Sequence, residues 1–283
     1  MKDKRLEQLD EFIYDLRFNE KHKKTIVTYK NQLIKFIDWL GEKEINKEIL
    51  LDYKDYLETL LNSKYKITSL NLNIVVVNKF VRFIGIENCK IKKFKTQMQT
   101  SVIDQIYEQE HKRILKWAKK LNKENMYLII KIFALCGIRV IELKDFTVEN
   151  VKKGYFKTYN KGKVRDILIR KDLRTEILHY CKSKKIETGL IFHQKNNKDK
   201  LIDPSTIWRN CKKIAGAARV NKSKIHPHAW RHLYAIELHR IGTPLTEISD
   251  MLGHQSVETT RIYLRTSLET KKSLLEKMYK KEV

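Results

Sequence analysis

The chain has 283 residues, enough for one large domain or two ordinary ones, and its 42% hydrophobic content excludes a disordered basic tail. With 59 Lys and Arg against 34 Asp and Glu, the formal charge of +25 points to a polyanionic partner, nucleic acid ahead of an anionic membrane surface. Cys89, Cys136, Cys181 and Cys211 are scattered, with no CxxC pair and no signal peptide, so reduced thiols in a cytoplasmic protein are expected; no apolar run approaches a membrane span.

Residues 1–88 read as a four-helix domain. Leu6, Leu9, Phe12, Ile13 and Leu16 recur at helical spacing, then Ile26, Tyr29, Leu33, Phe36, Ile37 and Leu40, then Ile49, Leu50, Tyr53, Leu57 and Leu60. The fourth set, Leu70, Ile74, Val77, Phe80 and Val81, also fits a strand through Val75, Val76 and Val77 as a run, if read without its asparagines. Asn71, Asn73, Asn78 and the length favour a helix. Lys21, Lys23, Lys24, Lys64 and Lys66 lie near helix starts and loops, where phosphate contact and simple solvation are equally open. Residues 89–101 (CKIKKFKTQMQTS) are basic, polar and without helical period. They read as a linker whose Lys90, Lys92, Lys93 and Lys95 can track a DNA backbone.

A second domain is expected over 102–266, with helices near 108–120 and 124–136, and with Arg139 in the turn after Gly137. Glu142-Leu143 continue into a short helical turn. Two strands, 155–159 and 164–169, flank the turn Asn160-Lys161-Gly162-Lys163. Residues 173–181, 191–192 and 203–216 add core, the last opening with Asp203 as cap and Pro204 in the first turn. The polar run 193–200 (HQKNNKDK) reads as a loop skirting DNA. Pro227 is placed as the first residue of a helix carrying His228 and Arg231 on one face. Another helix opens at Thr243-Pro244 and stops at Gly253, and Ser256 caps a third that carries Tyr263. The tail 267–283 has Leu274, Leu275 and Met278 on a short amphipathic helix. The fold class expected is mainly α with a small antiparallel β-sheet, the second domain being α+β.

Three segments stand in register over about 125 residues: ALCGIRVIEL around Arg139, HAWR from His228 to Arg231, and LGHQSVETTRIY from Leu252 to Tyr263. By these the chain resembles the tyrosine recombinases, the phage integrases and chromosome-dimer resolvases. The resemblance implies a four-helix core-binding domain followed by a catalytic domain that cuts and rejoins DNA for integration, excision or dimer resolution. It casts Arg139 and Arg231 as phosphate clamps, His228 and His254 as hydrogen-bonding groups, and Tyr263 as the nucleophile that forms a 3′-phosphotyrosyl link. A hairpin lysine acts as general acid in that family. Lys161 holds the matching position, but the turn is about one residue shorter than usual and Lys163 remains open.

The chemistry suits these residue types. A phosphodiester repels nucleophiles and gains charge on its nonbridging oxygens during attack, and guanidinium groups match that geometry bidentately at any working pH. A tyrosine with a pKa near 10 needs a base such as His228 to take its proton. The bond energy is kept in the phosphotyrosine, so neither ATP nor a metal or other cofactor is expected. His228 and His232 share the spacing of a zinc helix, but the motif lacks its Glu, and His232 is read as a buttress. Glu142 is assigned a structural ion pair. Trp230 stands where the family usually has leucine, and His226 and His239 have no motif support.

The resemblance further implies a tetramer, homomeric or with a paralogue, on two copies of an inverted-repeat core site in double-stranded DNA. Binding at a membrane is not expected, and the cytoplasmic site of action is the nucleoid. The tail is expected to dock on a neighbouring protomer, and the length leaves no room for an additional N-terminal arm-binding domain. A tyrosine-type topoisomerase and a catalytically idle DNA-binding regulator of the same fold are the alternatives.

Overall fold

The computed structural model describes residues 2–61, 65–95, 105–160, 163–226, 228–254 and 256–263. The chain divides into two units, Met1–Met98 and Gln99–Val283. In the first, apolar residues at helical spacing form α1 (Lys2–Phe18), α2 (Lys23–Leu40), α3 (Lys47–Thr59) and α4 (Ile67–Phe83). Leu33, Phe36, Ile37, Leu50, Ile74, Val77 and Phe80 are fully buried at the centre. Each such side chain stabilises the fold by about 1.5–3 kcal/mol.

The asparagines of α4 explain why it is a helix rather than a buried strand. Asn73 is inside the core, accepting a hydrogen bond from the Tyr53 hydroxyl at 2.9 Å and donating to Gln32 at 2.9 Å. Asn71 and Asn78 are two turns apart, about 10.5 Å along the axis at 1.5 Å per residue. Ile91 and Phe94, three residues apart, cover about 10 Å of extended chain. The spans match. Asn78 donates to the Ile91 carbonyl at 2.9 Å and accepts its N–H at 3.0 Å; Asn71 does the same for Phe94 at 3.1 and 2.8 Å. Ile91 is thereby buried in the first core. The first half of the segment read as a linker, 89–95, is therefore docked on α4, with Lys90, Lys92, Lys93 and Lys95 exposed.

The second unit is organised on α6 (Glu124–Cys136), which is apolar almost all round and carries Met126, Leu128, Ile129, Ile130, Ile132 and Phe133 in the core. Helices α5 (Glu108–Lys120), α8 (Lys171–Ser183), α9 (Pro204–Ala217) and α10 (Ala229–Arg240) pack on it. A 3-10 turn, Val140–Asp145, and the short α7 (Val148–Lys153) lead into β1 (Tyr155–Asn160) and β2 (Lys163–Leu168). These two strands are antiparallel, pairing from Tyr155 with Leu168 to Asn160 with Lys163. Their alternation turns Phe156, Thr158, Arg165 and Ile167 inward and leaves Tyr155, Tyr159, Val164 and Leu168 exposed.

Two expectations are corrected. The polar run 193–200 is not a loop but a second antiparallel pair, β3 (His193–Gln194) and β4 (Asn197–Leu201), with a register irregularity at His193. Its strands are too short and polar to show alternation. The helix expected to open at Pro227 begins at Ala229, so His228 occupies its N-cap rather than its first turn; Pro227 itself lies outside the described residues. The unit closes with α11 (Leu245–Leu252) and α12 (Val257–Tyr263), where a small cluster of Ala235, Ile248 and Leu252 joins α10 to α11. Among the described residues, no helix is long and apolar enough to cross a membrane.

Candidate active site

Helix α6 stops at Gly137, which takes a left-handed conformation (φ +56°). A side chain there would be strained by that φ and would also meet the Tyr234 ring, with a Cβ 2.2 Å from its Cδ1. The turn delivers Arg139 in an extended conformation at the start of the 3-10 turn. Glu142, buried in the following turn, reaches back to accept the Arg139 backbone N–H at 2.7 Å and its Nη1 at 3.0 Å. Burial alone would raise the Glu142 carboxyl, but Arg165 and Arg139 together bring it below the usual carboxylate range.

Arg165 enters from the inward face of β2 and donates to the Glu142 carboxylate at 2.5 Å and to the Met251 carbonyl at 2.5 Å. Arg231, in the first turn of α10 and fully buried, donates to the Gly137 carbonyl at 2.6 Å and to the Leu252 carbonyl. Arg139 donates to the Gly253 carbonyl at 3.4 Å. Three arginines from three elements thus meet three successive carbonyls at the C-terminal end of α11, where the helix dipole is negative. Trp230 places α10 from below. Its ring stacks on Trp208 at 6.1 Å, and its Nε1 donates to His111 Nδ1 at 3.2 Å. The large residue in the leucine slot therefore has an aromatic stack and a hydrogen-bond acceptor to fill.

Gly253, left-handed at φ +62°, ends α11 and turns the chain into His254. The His254 ring is buried, and its Nδ1 shares a 2.7 Å hydrogen bond with the hydroxyl of Thr260, itself fully buried on α12. Burial, then the charges of Arg231, Arg139 and Arg165, lowers the His254 imidazole to about 4. His232 is likewise lowered to about 4, by burial and then by His226, His228 and Arg231. His228 is exposed at its cap, yet loss of surrounding water, then Arg231 and Arg139, still lowers it. At neutral pH the site therefore presents uncharged imidazoles beside three guanidiniums and one carboxylate, a net positive environment suited to an anion.

Of the residues singled out in the sequence, the structure brings together Arg139, Glu142, Arg231 and His254, with His228 and His232 beside them on α10 and its cap. Lys161 lies outside the described residues, as do the tail 267–283 and the side chains of Lys163 and Tyr263; Tyr263 is the last residue of α12, three after Thr260. Among the described residues no group of three or more His, Cys, Asp or Glu is placed to hold a metal ion. Arg165 and Thr260 were not legible as site residues. The one available signal was strand alternation, which puts a guanidinium on the inward face of β2.

Comparison with known proteins follows the same division. Residues 104–269 match the model of the phage integrase family, and residues 9–88 match the phage integrase N-terminal SAM-like domain. The chain is 31% identical over 275 residues to the tyrosine recombinase XerA of Pyrococcus horikoshii, covering 95% of this chain and 92% of that protein. Among solved structures, a lambda integrase dimer bound to a COC′ core site is similar at a TM-score of 0.71 and 16% identity, covering 91% of this chain and 76% of that one. The XerH recombinase bound to its difH substrate is similar at a TM-score of 0.68 and 18% identity, covering 95% and 84%. Those two likenesses bear on fold. The family match spans Arg139, His228, Arg231, His254 and Tyr263, and the chain belongs to the phage integrase family of tyrosine recombinases.

Proposed function

We propose that this recombinase cuts and rejoins double-stranded DNA at a specific site through a 3′-phosphotyrosyl intermediate, with residues 102–266 carrying the chemistry and 1–88 holding the DNA. The observation that carries the reading is the meeting of Arg139, Arg231 and His254 at the end of α11, with an excess of positive charge and neutral imidazoles. Arg139 and Arg231 hold the nonbridging oxygens of the scissile phosphate, and His254 adds a hydrogen bond. The Tyr263 oxygen attacks phosphorus while His228, uncharged at neutral pH, takes the phenolic proton. The bond from phosphorus to the 5′-oxygen breaks, and Lys161, or Lys163 in the same turn, protonates that oxygen. Rejoining runs the same steps backwards with another 5′-hydroxyl. Every bond broken is replaced by one of the same kind, so the cycle needs neither ATP nor a metal.

The partner is a duplex with an inverted-repeat core site, and exchange takes a tetramer on two such sites, of this chain alone or with a paralogue. The lambda integrase dimer on a core site and XerH on its substrate support the DNA partner by likeness of fold. The exposed Lys90, Lys92, Lys93 and Lys95 lie along the backbone of that duplex, and the tail 267–283 docks on a neighbouring protomer. The place of action is the cytoplasmic nucleoid.

The test begins by selecting bound duplexes from a random-sequence pool, then placing a nick beside each candidate cleavage point. The full chain should trap a covalent adduct on the selected duplex and not on a scrambled one. A topoisomerase would trap it on both, and an idle regulator on neither. Tyr263→Phe should bind the selected duplex as the parent does and form no adduct. Adduct persisting in that variant moves the nucleophile elsewhere.

A further inference from the structure

Among the basic residues of the second unit, Arg165 is placed unlike a surface charge. It is 9% exposed, and the inward face of β2 carries it between Glu142 and the end of α11. One Nη donates to the Glu142 carboxylate at 2.5 Å, the other to the Met251 carbonyl at 2.5 Å. Its aliphatic stem lies over Gly253, where a Cβ would come within 2.8 Å of the Arg165 Cδ. Its Nε is buried with no hydrogen-bond partner among the described residues. A buried guanidinium with an unsatisfied N–H is a poor source of stability, since desolvation offsets most of the attraction in such a pair. The position calls for another reason.

The carboxylate of Glu142 supplies it. Its Oε2 accepts from both Arg165 Nη2 and the Arg139 backbone N–H, and its Oε1 accepts from Arg139 Nη1. Three donors therefore fix the plane of this carboxylate, and the carboxylate in turn fixes the fork of Arg139. The other hand of Arg165, on Met251, holds the last turn of α11 just before His254. We propose that Arg165 is a positioning residue for strand cleavage: through Glu142 and the end of α11 it sets the orientation of Arg139 and the place of His254 without itself touching the DNA. The proposal rests on the reading of Arg139 as a phosphate clamp. A clamp that must meet two nonbridging oxygens at once tolerates little rotation, and small misplacements of such groups lose large rate factors.

The experiment measures two quantities on the full chain with the selected duplex: affinity for the intact form, and the single-turnover rate of adduct formation on the nicked form. Arg165→Lys keeps the charge and one contact but loses the fork; Arg165→Met removes the charge and keeps much of the stem. Arg165→Met should cleave on the order of thirtyfold or more slower while binding within about threefold of the parent, and Arg165→Lys should recover a substantial part of the rate. The decisive comparison is made in an Arg139→Lys background. If Arg165 acts in part through Arg139, adding Arg165→Met there should cost clearly less than it costs in the parent, the remainder being its hold on the end of α11, because groups that act as a unit are not additive. A full additional loss in that background overturns the proposal, as does cleavage by Arg165→Met within threefold of the parent. A rate loss matched by an equal loss of affinity and melting temperature in both Arg165 variants also overturns it, because it marks a purely structural residue. Should Arg165→Met not fold, Arg165→Gln, which also removes the charge and the fork, alone and combined with Arg139→Lys, carries the same comparison. Failure of the parent chain itself to trap an adduct would strike the underlying reading instead, and is seen before any variant is made.

Discussion

His254 and Thr260 share a 2.7 Å hydrogen bond between Nδ1 and Oγ1, which ties the end of α11 to the helix that carries Tyr263. The bond sets the histidine tautomer. A neutral imidazole that donates to a phosphate oxygen from Nε2, the role proposed for His254, has a bare Nδ1 that accepts, and in that tautomer the Thr260 hydroxyl is the donor. Thr260→Val keeps the shape and removes that donor, and cleavage should fall by roughly five- to a hundredfold, the range for losing a buried hydrogen bond. Thr260→Ser should stay near the parent rate. Equal rates for Val and Ser would show that the hydroxyl has no part in holding His254.

Gly137 is required twice over, for its left-handed φ and for the Tyr234 ring packed against it. Gly137→Ala should lower stability by more than the about 1–2 kcal/mol of a left-handed alanine alone, because the methyl also meets the Tyr234 ring. It should also slow cleavage, since the Gly137 carbonyl accepts from Arg231 at 2.6 Å. Urea unfolding and adduct formation measure the two effects. Tyr234→Ala in the same chain should restore part of the stability by making room; no restoration would place the strain in the backbone alone.

Acid should destabilise the second unit. His111, His232 and His254 are each lowered from 6.5 to about 4, mainly by burial. A lowered histidine binds its proton less well folded than unfolded. Its contribution is therefore fully present above about 6.5 and is lost as pH falls toward 4. Around pH 5 each of the three takes up about one proton on unfolding. His111 faces Glu108, Lys112 and Lys131 and accepts from Trp230, so protonation at Nδ1 breaks that bond. Unfolding followed by tryptophan fluorescence should show stability dropping between pH 6.5 and 4.5, and His111→Gln should flatten the drop. A profile unchanged by that substitution would refute its share.

The general acid can be assigned chemically. Asn160 pairs with Lys163 at the end of the hairpin, and Lys161 lies between them in the sequence. Lys161→Ala should cleave on the order of a hundredfold or more slowly on ordinary DNA. A substrate with sulfur at the departing 5′ position leaves without protonation and should restore most of that rate. Lys163→Ala should show neither the loss nor the rescue. Rescue at Lys163 alone would shift the assignment by two residues.

The architecture was legible where packing follows period. Leu33, Phe36, Ile37 and Leu40 announce α2, and the left-handed ends at Gly137 and Gly253 follow from glycine after a periodic run. Legibility fails where a polar group replaces a backbone or apolar partner. Asn71 and Asn78 look like surface residues until the chain at Ile91 and Phe94 is seen lying against them. Arg165 is one basic residue among 59, and only its inward phase on β2 separates it from the rest. His228, Arg231 and His254 were singled out through the resemblance carried by HAWR and LGH, not through any packing the sequence displays. Which carbonyls Arg231 meets was not legible, since Gly137 is 94 residues away.

The three guanidiniums at the end of α11 come from points 86, 21 and 114 residues distant in the chain from the carbonyls they meet. No stretch shorter than that from Arg139 to Gly253 contains all the partners. During synthesis on the ribosome, a nascent chain that has made Arg139, Arg165 and Arg231 still lacks the helix end that orders them. The site belongs to the late, long-range part of folding, where loop closure is slow. An incomplete or truncated product can carry basic surface and bind DNA while having no arranged cleft with which to cut it.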